Sequence, residues 1–253
     1  MGFTFNGVSS DSMGIKTKMA VENRIPDVRN QTGTLAGRHG ILDFGETLSE
    51  REIEITCFIP PGNTDAGLLA LKDKVMGWLN PDNGLCSLAL DSEPGREYHA
   101  RLKDGISYER IVRNTGTFKV LFFCPDPFAY AVPDEVFSLT SSASVIRHKG
   151  NCGSAPLYKV KGSLADSGGS IRITVNGEQM EIKGPLSASE TLEIDAGDMT
   201  AKVVSADGTE RNALGQMAAL NFPYLKPGAN TVTIGVDGGM LSLLTVKARS
   251  RWL

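Results

Sequence analysis

Alternation of apolar and polar residues is the clearest pattern in the first half of the chain. Residues 51–59, REIEITCFI, place isoleucine or cysteine at every second position from 53, which predicts a strand with one buried face. Further strands are predicted at 85–91, 96–103, 106–112 and 118–124, separated by turn sequences. The pattern predicts an antiparallel meander. Glu52 and Glu54 are interpreted as a solvated strand face rather than a catalytic pair.

One segment among these strands has helical spacing instead. Apolar residues recur every three or four positions after Thr64 or Asn63, either of which can cap the first turn, and Asn80-Pro81 ends the segment. Trp78 is interpreted as a core residue rather than a ligand platform. The predicted buried stripe comprises Leu68, Leu71, Val75 and Leu79, widened by Leu69, Met76 and Trp78.

The second half has strand patterns and no helical stripe. Its Asn176-Gly177 pair predicts a tight hairpin turn, because both central residues of such a turn need positive φ. Short strands at this spacing predict a β-sandwich or jelly roll. The small polar residues 138–145 are interpreted as a joint between two domains. The predicted strands are 157–162, 170–175, 178–183, 191–195, 201–205, 230–236 and 241–248.

Residues 23–47 follow neither pattern. The segment is rich in glycine and carries charges of both signs around a short apolar patch at 41–44, so it predicts a long loop or an extended hairpin. Long loops on compact domains are often interaction elements.

The stretch FFCPDPFAY, residues 122–130, ends a predicted strand with two prolines around an aspartate. Proline has no N–H to donate, so strand pairing stops there. The aromatic residues that follow are expected to pack back onto the first domain and fix the direction in which the chain leaves it. The predicted domain junction comprises Pro125, Asp126, Pro127, Phe128 and Tyr130.

Charge and motifs exclude most other chemistry. The net charge of −3 provides no basic footprint for nucleic acid, and no apolar run is long enough to span a membrane. No catalytic, cofactor or metal motif is present, so no catalytic residue, cofactor or metal ligand is predicted. The cysteines are interpreted as buried free thiols. For sugar binding, Tyr224 is either an exposed aromatic platform or, with Phe222, a seal at one end of the sandwich.

Four features resemble one known family. The order strand, helix and meander follows Arg51-Glu52-Ile53; LDSEPGREY occupies 90–98; FCPDPFAY occupies 123–130; and FPYLKPGANT at 222–231 precedes a strand and a terminal Arg-x-Arg-Trp-Leu. In this order the chain resembles the distal tail protein (Dit) family of long-tailed phages and prophages, particularly those of Gram-positive hosts.

The resemblance implies a mainly β protein of two domains. Residues 1–133 would form a belt domain with one α-helix, similar to tail tube subunits, and six copies would make a ring around the tail channel. Residues 134–253 would form a galectin-like β-sandwich outside the ring. One ring and two stacked rings both stay open. The candidate ring contacts lie in the 23–47 segment: Arg29, Gly33, Leu35, Arg38, Ile41 and Phe44.

The implied role is structural, with no enzymatic activity. The partners would be further copies of the chain, the tail tube protein, the tail-associated fibre or lysin protein and, in some phages, receptor-binding proteins, but neither nucleic acid nor membrane. The implied location is the virion tail tip, after synthesis in the host cytoplasm. The 253 residues leave no room for an inserted carbohydrate-binding module. The alternative is a carbohydrate-binding adhesin acting through the second sandwich.

Overall fold

The computed structural model describes residues 2–19, 25–61, 64–106, 108–112 and 115–253. The chain divides into two compact units. Unit 1 comprises Met1–Val132 together with Leu253, and unit 2 comprises Pro133–Trp252. The predicted mainly β fold is confirmed, and the described residues contain one α-helix.

The described residues of unit 1 form eleven strands and the helix α1 (Asp65–Trp78), which is followed by a short 3-10 helix at Pro81–Asn83. The strands are β1 (Phe3–Phe5), β2 (Val8–Ser9), β3 (Lys16–Met19), β4 (Val28–Gly33), β5 (Leu42–Leu48), β6 (Arg51–Ile59), β7 (Cys86–Leu90), β8 (Arg96–Leu102), β9 (Tyr108–Val112), β10 (Thr115–Cys124) and β11 (Ala129–Ala131).

The large sheet of unit 1 has the order β2-β1-β7-β8-β10-β6-β3. β6 pairs with β10 over nine register positions, while β9 pairs with the start of β10 and β8 with its end. The simple meander prediction is therefore wrong. The described strands β8 and β9 follow one another along the same edge of β10, because Phe118 and Phe122 sit opposite different partner strands.

An aromatic cluster forms the centre of unit 1. The rings of Phe3 and Trp78 stack with centroids 5.4 Å apart, and Phe5 lies 5.0 Å from Phe122. The indole nitrogen of Trp78 donates to the carbonyl oxygen of Phe5 at 2.9 Å, so its polar atom is satisfied inside the core. The interpretation of Trp78 as a core residue is confirmed.

The helix α1 begins as the sequence predicts. The hydroxyl of Thr64 accepts from the Gly67 backbone N–H at 3.1 Å, while the alternative cap, Asn63, lies outside the described residues. The stripe is narrower than predicted, because Leu69 and Met76 are 61% and 66% exposed. Both occupy the solvent side of the helix, so their assignment to the buried stripe was wrong. The residues buried on α1 and just after it are Leu68, Val75, Trp78 and Leu79.

Unit 2 contains two sheets of six and four strands. The six-stranded sheet has the order β12-β21-β14-β17-β18-β19 and the four-stranded sheet β13-β20-β15-β16. The strands of these sheets are β12 (Val136–Leu139), β13 (Ala143–Arg147), β14 (Leu157–Leu164), β15 (Ser170–Val175), β16 (Glu178–Lys183), β17 (Thr191–Asp195), β18 (Thr200–Val204), β19 (Glu210–Asn212), β20 (Gly228–Asp237) and β21 (Gly239–Lys247). A further short strand, β22 (Arg251–Trp252), belongs to neither sheet.

The two sheets of unit 2 share one apolar core. Inward residues of both sheets, among them Val160 and Leu244 from one and Ile173 and Val232 from the other, are almost completely buried in it. This is a β-sandwich. Residues 138–145 are not a joint, because they include the end of β12, the turn after it and the start of β13, all within unit 2. Leu139 and Val145 of these strands are core residues despite their small polar neighbours.

A carboxylate clasp, Asp134 and Glu135, joins the start and end of unit 2. Asp134 accepts from the backbone N–H groups of Arg249 and Ser250 at 2.7 and 3.0 Å. Glu135 accepts from the backbone of His148 and Lys149 and from the Ser250 hydroxyl, at 2.8, 3.0 and 2.8 Å. The clasp thereby holds the chain end 249–250 against the first residues of the unit.

None of the four cysteines, which all lie among the described residues, forms a disulfide, and only Cys57 and Cys124 are buried. Burial raises the pKa of each of these two thiols to about 12, so both stay protonated and unreactive at neutral pH. Cys86 and Cys152 are half-buried, which corrects the interpretation of all four as buried thiols.

Candidate subunit interface

The β4–β5 hairpin pairs with no other strand in the part of unit 1 that the structure describes. It forms a separate two-stranded sheet, with Val28 opposite Leu48 and Gly33 opposite Leu42. Every residue from 28 to 47 is at least partly exposed. An isolated two-stranded hairpin is marginally stable in water, so a hairpin with both faces exposed to solvent is a candidate for contact with another molecule.

All six residues predicted as ring contacts lie on this hairpin or at its tip. Leu35, Ile41 and Phe44 are 58%, 62% and 67% exposed, and Ile25 and Val28 add further exposed apolar surface near its root. Exposed large apolar side chains grouped in this way commonly mark interaction sites. Sequence reasoning omitted Ile25 and Val28 from the candidate contacts, although Val28 is the β-branched residue that starts a strand.

The bare backbone of Gly33 positions the exposed ring of Phe44. A Cβ atom at Gly33 would lie 2.8 Å from the Phe44 ring, so only glycine leaves space for the ring in this position. The ring therefore rests on the neighbouring strand of the hairpin and presents its remaining surface to solvent. Gly33→Ala is expected to displace this ring.

The tip of the hairpin is a turn that carries a cation. The backbone N–H of Arg38 donates to the Leu35 carbonyl at 3.2 Å, and Gly37 has φ +80°. Positive φ at the third residue of a turn favours glycine. The turn exposes the side chain of Arg38 between Leu35 and Ile41.

Arg29 lies at the other end of the hairpin, near its root. Its guanidinium donates to the Ser49 hydroxyl at 3.4 Å and lies 3.6 Å from a carboxylate oxygen of Glu50. The backbone N–H of Ser49 donates to the Asp27 carbonyl at 2.8 Å. The structure therefore separates Arg29 from the tip residues, and its nearest role is to hold the two strands together at their base.

Asp126 explains the unusual sequence of the predicted junction. Its carboxylate accepts from the Phe128 backbone N–H at 3.1 Å and from the Tyr130 hydroxyl at 2.5 Å. The turn between β10 and β11 is thus pinned inside unit 1, and the Tyr130 ring lies 5.3 Å from that of His99. Pro125 is exposed and Pro127 half-buried. A role of this segment in holding two domains stays a prediction.

The other two quoted motifs are structural turns. In LDSEPGREY, Glu93 accepts from the Tyr98 hydroxyl at 2.7 Å, which closes the turn between β7 and β8. In FPYLKPGANT, buried Asn230 accepts from the Lys226 N–H at 2.8 Å and donates to the carbonyl oxygens of Lys226 and Gly228. Neither motif gathers groups suited to catalysis.

The remaining chemistry of the described residues is that of an ordinary surface. Glu52 pairs with Lys103, and Glu54 with Lys119 at 2.7 Å, as expected of a solvated strand face. No group of three potential metal ligands occurs among the described residues. None of the described helices is both long and apolar enough to cross a membrane. Phe222 is buried, whereas Tyr224 is 40% exposed and does not seal the sandwich.

Comparison with known proteins finds a family similarity in the N-terminal region. Residues 12–124 match the family of the phage tail protein RIFT-related domain. The match covers slightly less than half of the chain. The match contains the β4–β5 hairpin, α1 and the strands up to the end of β10, and so includes every candidate ring contact. No curated protein matches the sequence.

The fold of the whole chain is similar to that of solved phage hub and baseplate proteins. It is similar to the Dit protein of phage SPP1, described as a paradigm of the hub adsorption apparatus in phages that infect Gram-positive bacteria, with TM-score 0.75 and 16% identity over 100% of this chain and 99% of that one. A chain of the activated phage p2 baseplate with Sr matches with TM-score 0.54 and 9% identity over the same shares. The resemblance to Dit proteins is therefore confirmed at the level of fold.

Proposed function

We propose that the chain is a hub subunit of a phage tail tip, of which six copies form a ring. The observation that carries the proposal is the β4–β5 hairpin, whose apolar residues Leu35, Ile41 and Phe44 are exposed in a domain of the phage tail class. A cyclic ring needs heterologous contacts, in which one surface of each copy meets a different surface of the next. The hairpin supplies the first of these surfaces.

In this proposal unit 1 forms the ring and unit 2 occupies its periphery. The ring joins the tail tube protein to the tail-associated fibre or lysin protein, and receptor-binding proteins attach where a phage uses them. The role requires no catalytic group. The proposed location is the virion. The structural resemblance to the SPP1 Dit protein over the full chain supports the assignment.

The test is the mass of the purified full chain in solution by light scattering, with negative-stain images of the same sample. Six-fold rings with a central hole are expected, alone or after co-expression with the neighbouring tail proteins. Deleting residues 29–40 should leave a folded chain that forms no rings. Rings that survive the deletion contradict the role of the hairpin, and a wild-type chain that never assembles under either condition contradicts the hub.

Exposure of Tyr224 supports the second candidate, an adhesin that binds glycans through unit 2. A second observation counts against this candidate. Sugars stack on exposed aromatic rings, and no aromatic residue is among the outward residues of the four-stranded sheet, such as Arg172, Thr174 and Thr233. A glycan array with the wild-type chain and Tyr224→Ala separates the candidates. Binding that Tyr224→Ala abolishes favours the adhesin, and absence of binding favours the hub alone.

A further inference from the structure

The outer face of α1 carries a pattern that a solvated helix does not need. Leu69 and Met76 are 61% and 66% exposed, and Asp73 lies four residues after the first and three before the second. Residues at these spacings lie on one side of a helix. The solvent side of a surface helix is normally polar. We call this apolar–acidic–apolar row, Leu69, Asp73 and Met76, the outer face of α1.

The tip of the β4–β5 hairpin carries the complementary pattern. In the sequence of the tip, Arg38 lies between exposed Leu35 and Ile41, which gives an apolar–basic–apolar row along the chain. Among the described residues, neither the Arg38 guanidinium nor the Asp73 carboxylate has a partner within its own chain. The two rows match in hydrophobicity and are opposite in charge, and charge complementarity of this kind fixes register between partners.

We propose that the hairpin tip of one copy docks on the outer face of α1 of the next copy, with Arg38 opposite Asp73. The inference rests on the proposed ring and names the second surface that the ring requires. Strands of six and seven residues carry the tip roughly 20 Å beyond the hairpin root, which suits contact with a neighbour. Contact between two different patches of this kind is heterologous and closes into a ring when the rotation allows.

The first experiment exchanges the two charges in the full chain. Arg38→Glu and Asp73→Arg are each expected to raise the concentration for half-assembly at least about tenfold, because like charges then face one another. The double variant should return it to within about threefold of wild type, since the pair is restored with reversed sign. Arg29→Glu combined with Asp73→Arg is the matched control and should not restore assembly, because Arg29 lies at the root.

The second experiment does not depend on stable rings. Arg38→Cys and Asp73→Cys in one chain, oxidised at high protein concentration, should give a ladder of disulfide-linked oligomers on a denaturing gel. In a Cys86→Ser, Cys152→Ser background, used for all variants of this experiment, each single cysteine variant should give dimers at most, because Cys57 and Cys124 are buried. A ladder supports the interface even where rings are too weak to image.

The outcomes separate the inference from the proposed function. Wild-type rings with no charge-swap rescue and no ladder overturn the docking on α1 and leave the hub intact. A chain that never assembles, even with its tail partners, contradicts the hub, and absence of the ladder in that chain overturns the docking as well. Rescue or a ladder supports the docking in either case.

Discussion

Two antiparallel hairpins of this chain differ in what surrounds them. The β15–β16 hairpin turns at Asn176-Gly177, and its residues Ile171, Ile173 and Val175 are buried in the core of unit 2. The β4–β5 hairpin pairs as regularly over its first residues but keeps both faces in solvent. Backbone pairing alone therefore does not make a strand part of the fold. The two hairpins differ in the burial of their alternate side chains, which enter the core of unit 2 in β15 but stay at least partly exposed in β4 and β5.

The edges of the two hairpins differ as well. The outer edge of β16 is covered, because the Ala218 N–H donates to the Glu181 carbonyl at 2.9 Å and the Asn221 amide to the Gln179 carbonyl at 2.7 Å. Covered edges protect against pairing with foreign strands. The β4–β5 hairpin has no third strand among the described residues. We interpret the β15–β16 hairpin as fully packed within its own unit, and the β4–β5 hairpin as an element whose packing partner is a neighbouring copy.

Limited proteolysis should show the largest difference between the hairpins. Trypsin is expected to cleave after Arg38 at least about a hundredfold faster than after Arg172 of β15, because the tip opens locally whereas β15 opens only with the core. The cleavage sites can be followed by mass spectrometry of the intact chain. Assembled rings should protect Arg38. Equal cleavage rates after Arg38 and Arg172 would contradict the expected difference in local opening between the two hairpins.

Matched isoleucine truncations measure the same contrast as stability. Ile173→Ala should cost about 2–5 kcal/mol, because Ile173 is fully buried and leaves a cavity. Ile41→Ala, at a side chain 62% exposed, should change the free energy of unfolding by less than about 0.5 kcal/mol. Hydrogen exchange read by mass spectrometry reports each unit separately. A large loss in Ile41→Ala would mean that the hairpin belongs to the fold of the free subunit.

Acid should weaken unit 2 through its clasp. Burial disfavours the charge of Glu135, but hydrogen bonds from His148, Lys149 and Ser250 outweigh it and hold the pKa of this carboxyl below its ordinary value of 4.5. Its contribution to stability is therefore complete above pH 4.5 and is lost as the pH falls through the lower folded-state pKa.

The measurement is hydrogen exchange of unit 2 between pH 6 and pH 3, corrected for the intrinsic rate. Glu135→Gln should flatten the acid dependence, while Asp166→Asn, at an exposed carboxyl, should leave it unchanged. An identical acid profile in Glu135→Gln and wild type would show that the clasp does not contribute.

Two glycine substitutions should give the smallest difference. Gly177 and Gly37 have φ +92° and +80°, and a Cβ atom at either would meet nothing within 4 Å. Gly177→Ala should destabilise unit 2 by about 1 kcal/mol through backbone strain alone. Gly37→Ala should leave global unfolding unchanged, because the tip is outside the cooperative core. Thermal denaturation with exchange of the β15–β16 peptides checks both, and equal losses would contradict the distinction.

Most elements of the fold could be predicted from side-chain periodicity. β6, α1, β7 and the seven strands predicted in unit 2 all follow patterns in which one face is apolar. β12 and β13 were missed, because each is short and has a single buried apolar residue, Leu139 or Val145, and serines are frequent around both. The pairing of β8 and β9 with one edge of β10 was missed for another reason, since periodicity shows which face is buried but not which strand is adjacent.

The candidate site was predicted less completely than the fold. The 23–47 segment drew attention by lacking a pattern, and its exposed Leu35, Ile41 and Phe44 were named in advance. Leu69 and Met76 were assigned to the core, because apolar residues on a helix are ordinarily buried and the sequence does not show which side faces water. In the sequence, an apolar residue that contacts another subunit looks the same as one that is buried in its own fold.

The carboxylate clasp brings the two ends of unit 2 together at one place. Asp134 and Glu135 fasten the chain where it enters the sandwich to residues 249–250, where it leaves. A domain with both ends fastened at one place can be exchanged, lengthened at its far loops or replaced by another without a change in the chain that carries it. In the proposed hub subunit, the clasp marks the two ends of unit 2 at which one such domain can be exchanged for another.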